Sequence, residues 1–373
     1  MPQESISAEK PLRSSPNVSG LEVLMMPDFR KGNPYQSLLS KSLSELGCNV
    51  SFPSGYRRVL PLYRAIRDRA NPVRILHLHW LTPYLRGKTL PSYVVYMLKF
   101  YVDLCLVRLS GVKIVWTVHN KISHESRFPR LELWAMRRVA GSASKVIVHS
   151  RAALAELEGP LGLERDRTAV IPHGHYREVY HTSIDQAAAR KTLRLPSGTF
   201  IYLCFGLVRK YKNIEQLLMA WEKWRNSLPG SLLLLAGEAL EPEYGEQIAR
   251  LTRSCPDVLL HLRHVPAEEV HLYFSAADVV VLPFERTLTS GSLLLAMSFE
   301  KPVVAPRIGV ISETVGAADD LLYDPLDDDS LGEALRLAAC FDSAANAKKT
   351  RLQCDQFAWK AIAQTTVRTY LAA

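Results

Sequence analysis

The chain has 373 residues, 47% of them hydrophobic and 22% charged, with a formal net charge of +9. That length is too great for one ordinary domain and sufficient for two, and the composition is that of a globular chain, not a disordered or fibrous one. Six scattered cysteines (Cys48, Cys105, Cys204, Cys255, Cys340, Cys354) form no C-x-x-C pair and no metal-ligand spacing, which points away from a disulfide scaffold and toward reduced, mostly buried thiols.

Residues 1–19 are polar and rich in Ser and Pro, and they read as a disordered leader without a secretory signal. Buried strands are then predicted at 21–26 (LEVLMM), 73–78 (VRILHL), 113–119 (KIVWTVH), 145–149 (KVIVH) and 168–171 (TAVI), with helical patterns at 35–46 and 56–69. The stretch 93–109, YVVYMLKFYVDLCLVRL, comes nearest to a membrane span. Lys99, Asp103 and Arg108 interrupt it, and a spanning helix needs about 20 mostly apolar residues, so it reads as a core helix or an interfacial one. In the latter case Tyr93, Tyr96, Phe100 and Tyr101 would face lipid.

The second half repeats the pattern. Strands at 200–205, 231–236, 258–262, 279–282 and 302–305 alternate with helices at 214–227, 244–253, 267–275 and 293–300, and an amphipathic helix closes the chain at 357–371. Strand–helix alternation at this pitch implies a parallel sheet covered on both faces. Its occurrence twice implies an α/β chain of two doubly wound, Rossmann-like domains, 20–180 and 181–354, with 355–373 as a helix packing across both. The boundary falls after VIPHG, residues 170–174, where a stretch without apolar period begins. Ligands bind beyond the carboxyl ends of parallel strands, so two such domains face a central cleft.

Charge is uneven. Residues 1–180 carry a net +12 and the remainder −3. The first half therefore suits an anionic partner such as lipid headgroups or a pyrophosphate-linked acceptor, unless its cations merely face water. Nucleic acid is disfavoured, because no recognised motif interleaves aromatics with these basic residues.

The chemistry-bearing residues stand where strands end. After 200–205 come Gly206, Arg209 and Lys212, just before a helix; a glycine that lets backbone approach, followed by cations, suits a diphosphate. After 279–282 come Glu285 and then Ser290, Gly291 and Ser292 at a helix start. This second group is either an anion-binding turn or an ordinary Ser cap. In the first half, Asp28, Asn33 and Tyr35 follow the first strand as a candidate acceptor loop. His119 ends the third predicted strand and Glu125 follows it in HNKISHE; a histidine and a carboxylate here suit deprotonation of an acceptor hydroxyl or a grip on the donor sugar. His77 and His79, in HLHW, suit a packed wall beside Trp80 as well as a site. Asp327, Asp328 and Asp329 read as a helix cap with acidic first-turn residues, not as a metal pair.

In combination and order, VIPHG, FGLVRKYKN, LLLLAGE, VPAEEVHLYFSAADVVVLPFE, AMSFEKPVVAPRIGVISETV and LLYDPLDDDSLGEAL resemble the group-1 glycosyltransferases of GT-B fold along almost the whole second half. The first half matches more loosely. The resemblance implies that Arg209 and Lys212 bind the diphosphate of a nucleotide sugar, with Glu313 of ISETV and the Ser290–Ser292 loop against the same donor. With Arg209 and Lys212 able to neutralise the leaving diphosphate, no metal and no cofactor is expected. One position departs from the pattern: Leu295 stands before Ala296-Met297, where many members carry a glutamate set against the donor ribose. Inversion at the anomeric carbon is expected on that account. The set HLHW, WTVHNKISHE, VIPHGHY and LTSGS is most similar to bacterial exopolysaccharide transferases, with GDP-mannose the favoured donor and a lipid-linked or polysaccharide acceptor. Such an enzyme would be cytoplasmic and peripheral on the inner membrane face. The alternatives are a nucleotide-sugar epimerase of the same fold and a non-catalytic membrane- or nucleic-acid-binding protein.

Overall fold

The structure, a computed structural model, describes residues 18–55, 58–121, 126–180 and 184–373. Residues 1–17 of the expected leader lie outside the described residues, as do Arg57 and Glu125.

Two six-stranded sheets are present, and every strand pairing in them is parallel. The first contains β1 (Leu21–Met26), β2 (Cys48–Ser51), β3 (Ile75–Leu78), β4 (Lys113–Thr117), β5 (Lys145–Val148) and β6 (Thr168–Val170), in the order β2-β1-β3-β4-β5-β6. The second contains β7 (Phe200–Phe205), β8 (Ser231–Ala236), β9 (Val258–His261), β10 (Val279–Val281), β11 (Val303–Pro306) and β12 (Leu322–Tyr323), in the order β12-β11-β10-β7-β8-β9. Strand order reverses beside β1 in one sheet and beside β7 in the other. The switch points, β1/β3 and β7/β10, are where such sheets hold ligands.

The helices α1 (Pro34–Glu45), α2 (Pro61–Arg67), α3 (Leu90–Leu109), α4 (Pro129–Ser142) and α5 (Arg151–Leu161) connect the first sheet. The second unit carries α6 (Gln186–Thr192), α7 (Ile214–Trp224), α8 (Pro242–Thr252), α9 (Ala267–Ala276), α10 (Gly291–Ser298), α11 (Gly309–Val315), α12 (Ser330–Ala339) and α13 (Ser343–Asp355), and α14 (Trp359–Leu371) ends the chain. The helix expected over 56–69 is shorter, beginning where Pro61 occupies its first turn.

Side chains of successive strand residues point to opposite faces. In β1, Leu24 and Met26 join a core covered by α2, α3, α4 and α5, while Val23 and Met25 face the other way. In β7, Tyr202 and Cys204 join the core under α7, α8 and α12, while Ile201, Leu203 and Phe205 face away. Those second faces belong to one continuous apolar cluster, closed by Trp359, Ile362, Val367 and Tyr370 of α14. The terminal helix thus returns to the first sheet, packing on α1. Gly174 of VIPHG has a physical reason here: a Cβ on it would lie 2.2 Å from the Trp359 ring, whose Nε1 donates to the His175 carbonyl at 2.7 Å.

Candidate active site

At the β7/β10 switch point, β7 ends on Gly206, whose φ of +106° is a conformation that side chains resist. The loop turns through Arg209 to a 3₁₀ turn, Lys210–Lys212, and reaches α7 through Asn213, itself left-handed. Lys212 is buried and its Nζ donates to the Phe205 carbonyl at 3.1 Å. Burial, with a smaller contribution from nearby Arg209, lowers its pKa to about 8. A Cβ on Gly206 would lie 2.8 Å from that Nζ and 3.7 Å from the Ser292 hydroxyl. Gly206, Lys212 and Ser292, from loops after adjacent strands, therefore converge on one point.

Other expected donor residues are arranged differently. Ser290 is the N-cap of α10, its hydroxyl accepting from the Leu293 N–H at 3.1 Å. Gly291 lies under Tyr176, whose hydroxyl is 3.3 Å from where a Cβ would be. Glu285 contacts the donor loop through its backbone N–H, bonded to the Tyr211 carbonyl at 3.3 Å, while its side chain is exposed beside Arg286. Glu313, expected against the donor, instead accepts from the N–H groups of Arg151 and Ala152, each at 2.9 Å. A carboxylate is favoured there because the first turn of α5 has N–H groups without intrahelical partners. That contact ties α11 of the second unit to α5 of the first. Asp329, expected to cap α12, makes no side-chain cap; it pairs with Lys223, and Asp327 accepts from the Asp329 N–H at 3.0 Å.

In the first unit, Asp28 pairs with Arg30 through two bonds of 2.9 Å, which hold its carboxyl below the usual range. Asn33 serves as the N-cap of α1, accepting from the Tyr35 N–H at 3.0 Å. Tyr35 is a correction to the acceptor-loop expectation: its ring is buried against His79, His119, His149, His173 and Trp359. An aromatic at the first turn of α1 points back over the sheet edge, so it forms wall.

His119, a candidate from the sequence, is joined in the structure by His149 and His173. His79, His119, His149 and His173 follow the ends of β3, β4, β5 and β6, four adjacent strands, and all four rings are buried. His79 Nδ1 lies 3.2 Å from His119 Nε2, and His119 Nδ1 lies 3.3 Å from His149 Nε2. His149 Nδ1 meets the Ile171 carbonyl at 2.9 Å, and Tyr176 brings its hydroxyl 3.3 Å from His173 Nε2. His77, one layer below, joins Thr117 and Tyr370 at 2.7 Å each. Burial drives every one of these imidazoles toward neutrality: His149 to about 4, His77 and His173 to about 3, and His79 and His119 well below the ordinary value. Trp80 stacks on His119, centroids 4.2 Å apart. A cavity of about 20 Å³, lined among others by His149, His173, Thr289 and Ser290, separates this cluster from the donor loops. Among the described residues, no group of three or more His, Cys, Asp or Glu is arranged to hold a metal ion.

Family models for "Glycosyl transferases group 1" and "Glycosyltransferase Family 4" match residues 199–339 and 38–177. The chain belongs to the group-1 glycosyltransferases. It is 28% identical over 306 residues to GDP-mannose:glycolipid 4-beta-D-mannosyltransferase of Xanthomonas campestris pv. campestris, covering 80% of each chain. It is 26% identical to D-inositol 3-phosphate glycosyltransferase of an Arthrobacter species, over 72% of this chain and 67% of that one. Among solved structures it superposes on sucrose-phosphate synthase from Thermosynechococcus elongatus with a TM-score of 0.72, at 21% identity over 94% and 98% of the two chains. Anabaena HepE, solved with UDP, gives 0.69 at 16% identity over 94% and 100%. These neighbours share the GT-B architecture, so this glycosyltransferase is a two-sheet GT-B enzyme.

One surface of this glycosyltransferase stands apart from the cleft. Helix α3 buries Tyr93, Met97, Phe100, Asp103, Leu104 and Val107, so Tyr93 and Phe100, expected to face lipid, are core. Its other side leaves Val95, Leu98, Tyr101, Val102 and Leu109 exposed. Among the described residues it is the one helix long and apolar enough to cross a membrane.

Proposed function

We propose that this glycosyltransferase moves a mannosyl group from GDP-mannose to a lipid-linked or polysaccharide acceptor at an anionic, cytoplasmic membrane face. The observation that carries the donor half is the convergence of Gly206, Lys212 and Ser292 beside Arg209 at the β7/β10 switch point. There the bare backbone of Gly206 stands beside a buried ammonium that donates to the Phe205 carbonyl. A departing nucleoside diphosphate needs such a site for its charge. The choice of GDP-mannose and a glycolipid rests on the mannosyltransferase relatives, at 28% identity. The acceptor half rests on the facing histidine cluster and on the basic first unit. Leu295, a partly buried residue of α10, offers no carboxylate to the donor, which fits an inverting transfer.

The test is a panel. Purified protein is incubated with GDP-mannose, UDP-glucose and ADP-glucose, with lipid-linked and free saccharide acceptors, and nucleoside diphosphate release is followed. Acceptor-dependent GDP release alone is expected, with the β-anomeric product by NMR. Release of UDP or ADP in preference, or interconversion of the sugar without acceptor, would overturn the reading.

A further inference from the structure

We infer that His149 is a positioning residue that fixes the polarity of a three-imidazole wire, so that His79 Nε2 is the lone pair presented to the acceptor hydroxyl. This inference rests on the glycosyl-transfer reading above.

A neutral imidazole has one N–H donor and one acceptor nitrogen. The Ile171 carbonyl can only accept, so His149 must hold its proton on Nδ1. Its Nε2 is then the acceptor, and the 3.3 Å contact makes His119 the donor through Nδ1. His119 Nε2 in turn accepts from His79 Nδ1–H at 3.2 Å. One backbone carbonyl therefore sets three tautomers in sequence. Both nitrogens of His119 are engaged and Trp80 covers its face, so His119 is an inner link of the wire. At the far end, His79 Nε2 is buried and has no hydrogen-bond partner.

Its location gives that nitrogen a use. The His79 backbone N–H donates to the Met26 carbonyl at 2.9 Å, which places His79 beside the end of β1, at the β1/β3 switch point of the first sheet. This is the crevice where an acceptor would enter. His79 is 1% exposed, with Tyr35 and Trp80 around it, so entry requires Trp80, itself packed on half-exposed Phe29, to swing aside.

The acceptor O–H bond breaks and its proton goes to His79 Nε2, while the acceptor oxygen bonds to the anomeric carbon. The anomeric C–O bond to the diphosphate breaks, and its electron pair leaves with the nucleoside diphosphate. His79 passes its Nδ1 proton to His119, and His119 passes its own to His149. The positive charge then rests on His149 against the Ile171 carbonyl, and the proton returns along the wire to water when the cleft opens. Low basicity in the empty cleft is offset once the donor's phosphate charge enters it, since an anion nearby favours the protonated ring.

Two-bond ¹H–¹⁵N spectra of histidine-labelled enzyme read the tautomers without donor or acceptor, so this test is separate from the identity of either substrate. His79, His119 and His149 should all carry the proton on Nδ1. In His149→Phe, the other two should revert to Nε2–H, with kcat lowered about 10²-fold and donor KM unchanged. His149→Gln, whose Oε1 can accept from His119, should restore the Nδ1–H tautomers and part of kcat. An Nε2–H proton on His79 or His119 in the wild type overturns the inference, as does a His149→Phe enzyme with unaltered tautomers or full kcat.

Discussion

Lys212 reaches back across its loop to occupy the space beside Gly206: its Nζ lies 2.8 Å from where a Gly206 Cβ would stand. The two residues are therefore one device, a bare backbone and an ammonium sharing a surface. Gly206→Ala should both strain the φ of +106° and displace the ammonium, costing about 1–3 kcal/mol of stability and raising donor KM. Lys212→Ala relieves burial of the amine but removes the charge. It should cost about 1.5–3 kcal/mol of transition-state stabilisation, the range for charge-assisted bonds, with the fold retained. Wild-type kcat/KM in Lys212→Ala would dismiss the assignment.

The same lysine gives activity a basic limb. Burial lowers its pKa to about 8, below the ordinary lysine value of 10.5, so the free enzyme loses the ammonium as pH rises through about 8. Donor kcat/KM should fall about tenfold per pH unit above that point. Stability moves the other way. Between about 8 and 10.5 the unfolded chain holds more protons at this group, so its contribution to stability rises with pH. Lys212→Arg, which does not deprotonate, should flatten the limb; an unchanged limb in that variant would place the titration elsewhere.

How much of this was legible depends on whether the signal is local. Strands such as FIYLCF and SLLLLA are buried on both faces, so they read as apolar runs. β2, with Asn49 exposed and Ser51 at its end, is an edge strand with no such run, and its sequence carries no strand signal. The donor loop could be found because Gly206, Arg209 and Lys212 lie within seven positions of one another in one strand–loop–helix unit. The histidine cluster could not, since its members meet only through strand order. The available signal was a repeated one: HLH, TVH, VIVH and VIPH each place a histidine just past a strand. Glu313 was legible as a helix residue, but its partners are N–H groups of the other unit.

Acid should unfold this enzyme early. The unfolded-state value for histidine is about 6.5, whereas His149 titrates at about 4 and His77 and His173 at about 3 in the folded chain. The unfolded state therefore binds more protons throughout that window. The stability contributed by keeping these rings neutral is complete above about 6.5 and is lost as pH falls toward 4. Each such histidine costs about 1.4 kcal/mol per pH unit there. Thermal melts should show Tm falling steeply below about pH 6.5, less so in His77→Gln; a flat Tm down to pH 4 would contradict the burial of these rings.

Activity should persist in excess EDTA. Lys212 and Arg209 supply positive charge at the proposed diphosphate position, and Asp327 and Asp329 are engaged with backbone and Lys223. Loss of transfer on chelation, restored by Mg²⁺ or Mn²⁺, would require a different account of leaving-group stabilisation.

The outer face of α3 predicts where the enzyme would meet the proposed lipid-linked acceptor. Leu98 and Val102 are each 53% exposed and Leu109 83%, one or two turns apart along a single stripe with Val95 and Tyr101. The one acid of the helix does not interrupt that stripe. Asp103 is turned inward, where it accepts from the N–H groups of Leu62 and Tyr63 at 2.8 and 2.9 Å and caps α2. Exposed cations stand on the same helix and its neighbours: Arg64 and Arg67 on α2, Lys99 and Arg108 on α3, and Arg138 on α4, over half-exposed Trp134 at 4.9 Å. An exposed apolar stripe on a helix whose opposite side is core, with exposed cations on that helix and its neighbours, is the physical form of an interfacial surface. Each cation near anionic lipid contributes about 1 kcal/mol, and each seated Leu or Val adds to it. The enzyme should therefore co-sediment with anionic vesicles and not with zwitterionic ones, and high salt should release it. Neutralising Arg64, Arg67 and Lys99 together should weaken binding by about 3 kcal/mol, on the order of 10²-fold, and Leu98→Glu with Val102→Glu should abolish it. Transfer to a short, water-soluble acceptor should be unaffected in all of these variants, because none of the residues lies at the cleft. If the glutamate pair binds vesicles as the wild type does, α3 is not the lipid face. If it instead converts a dimer to a monomer in sedimentation, the stripe is where two copies of the chain meet.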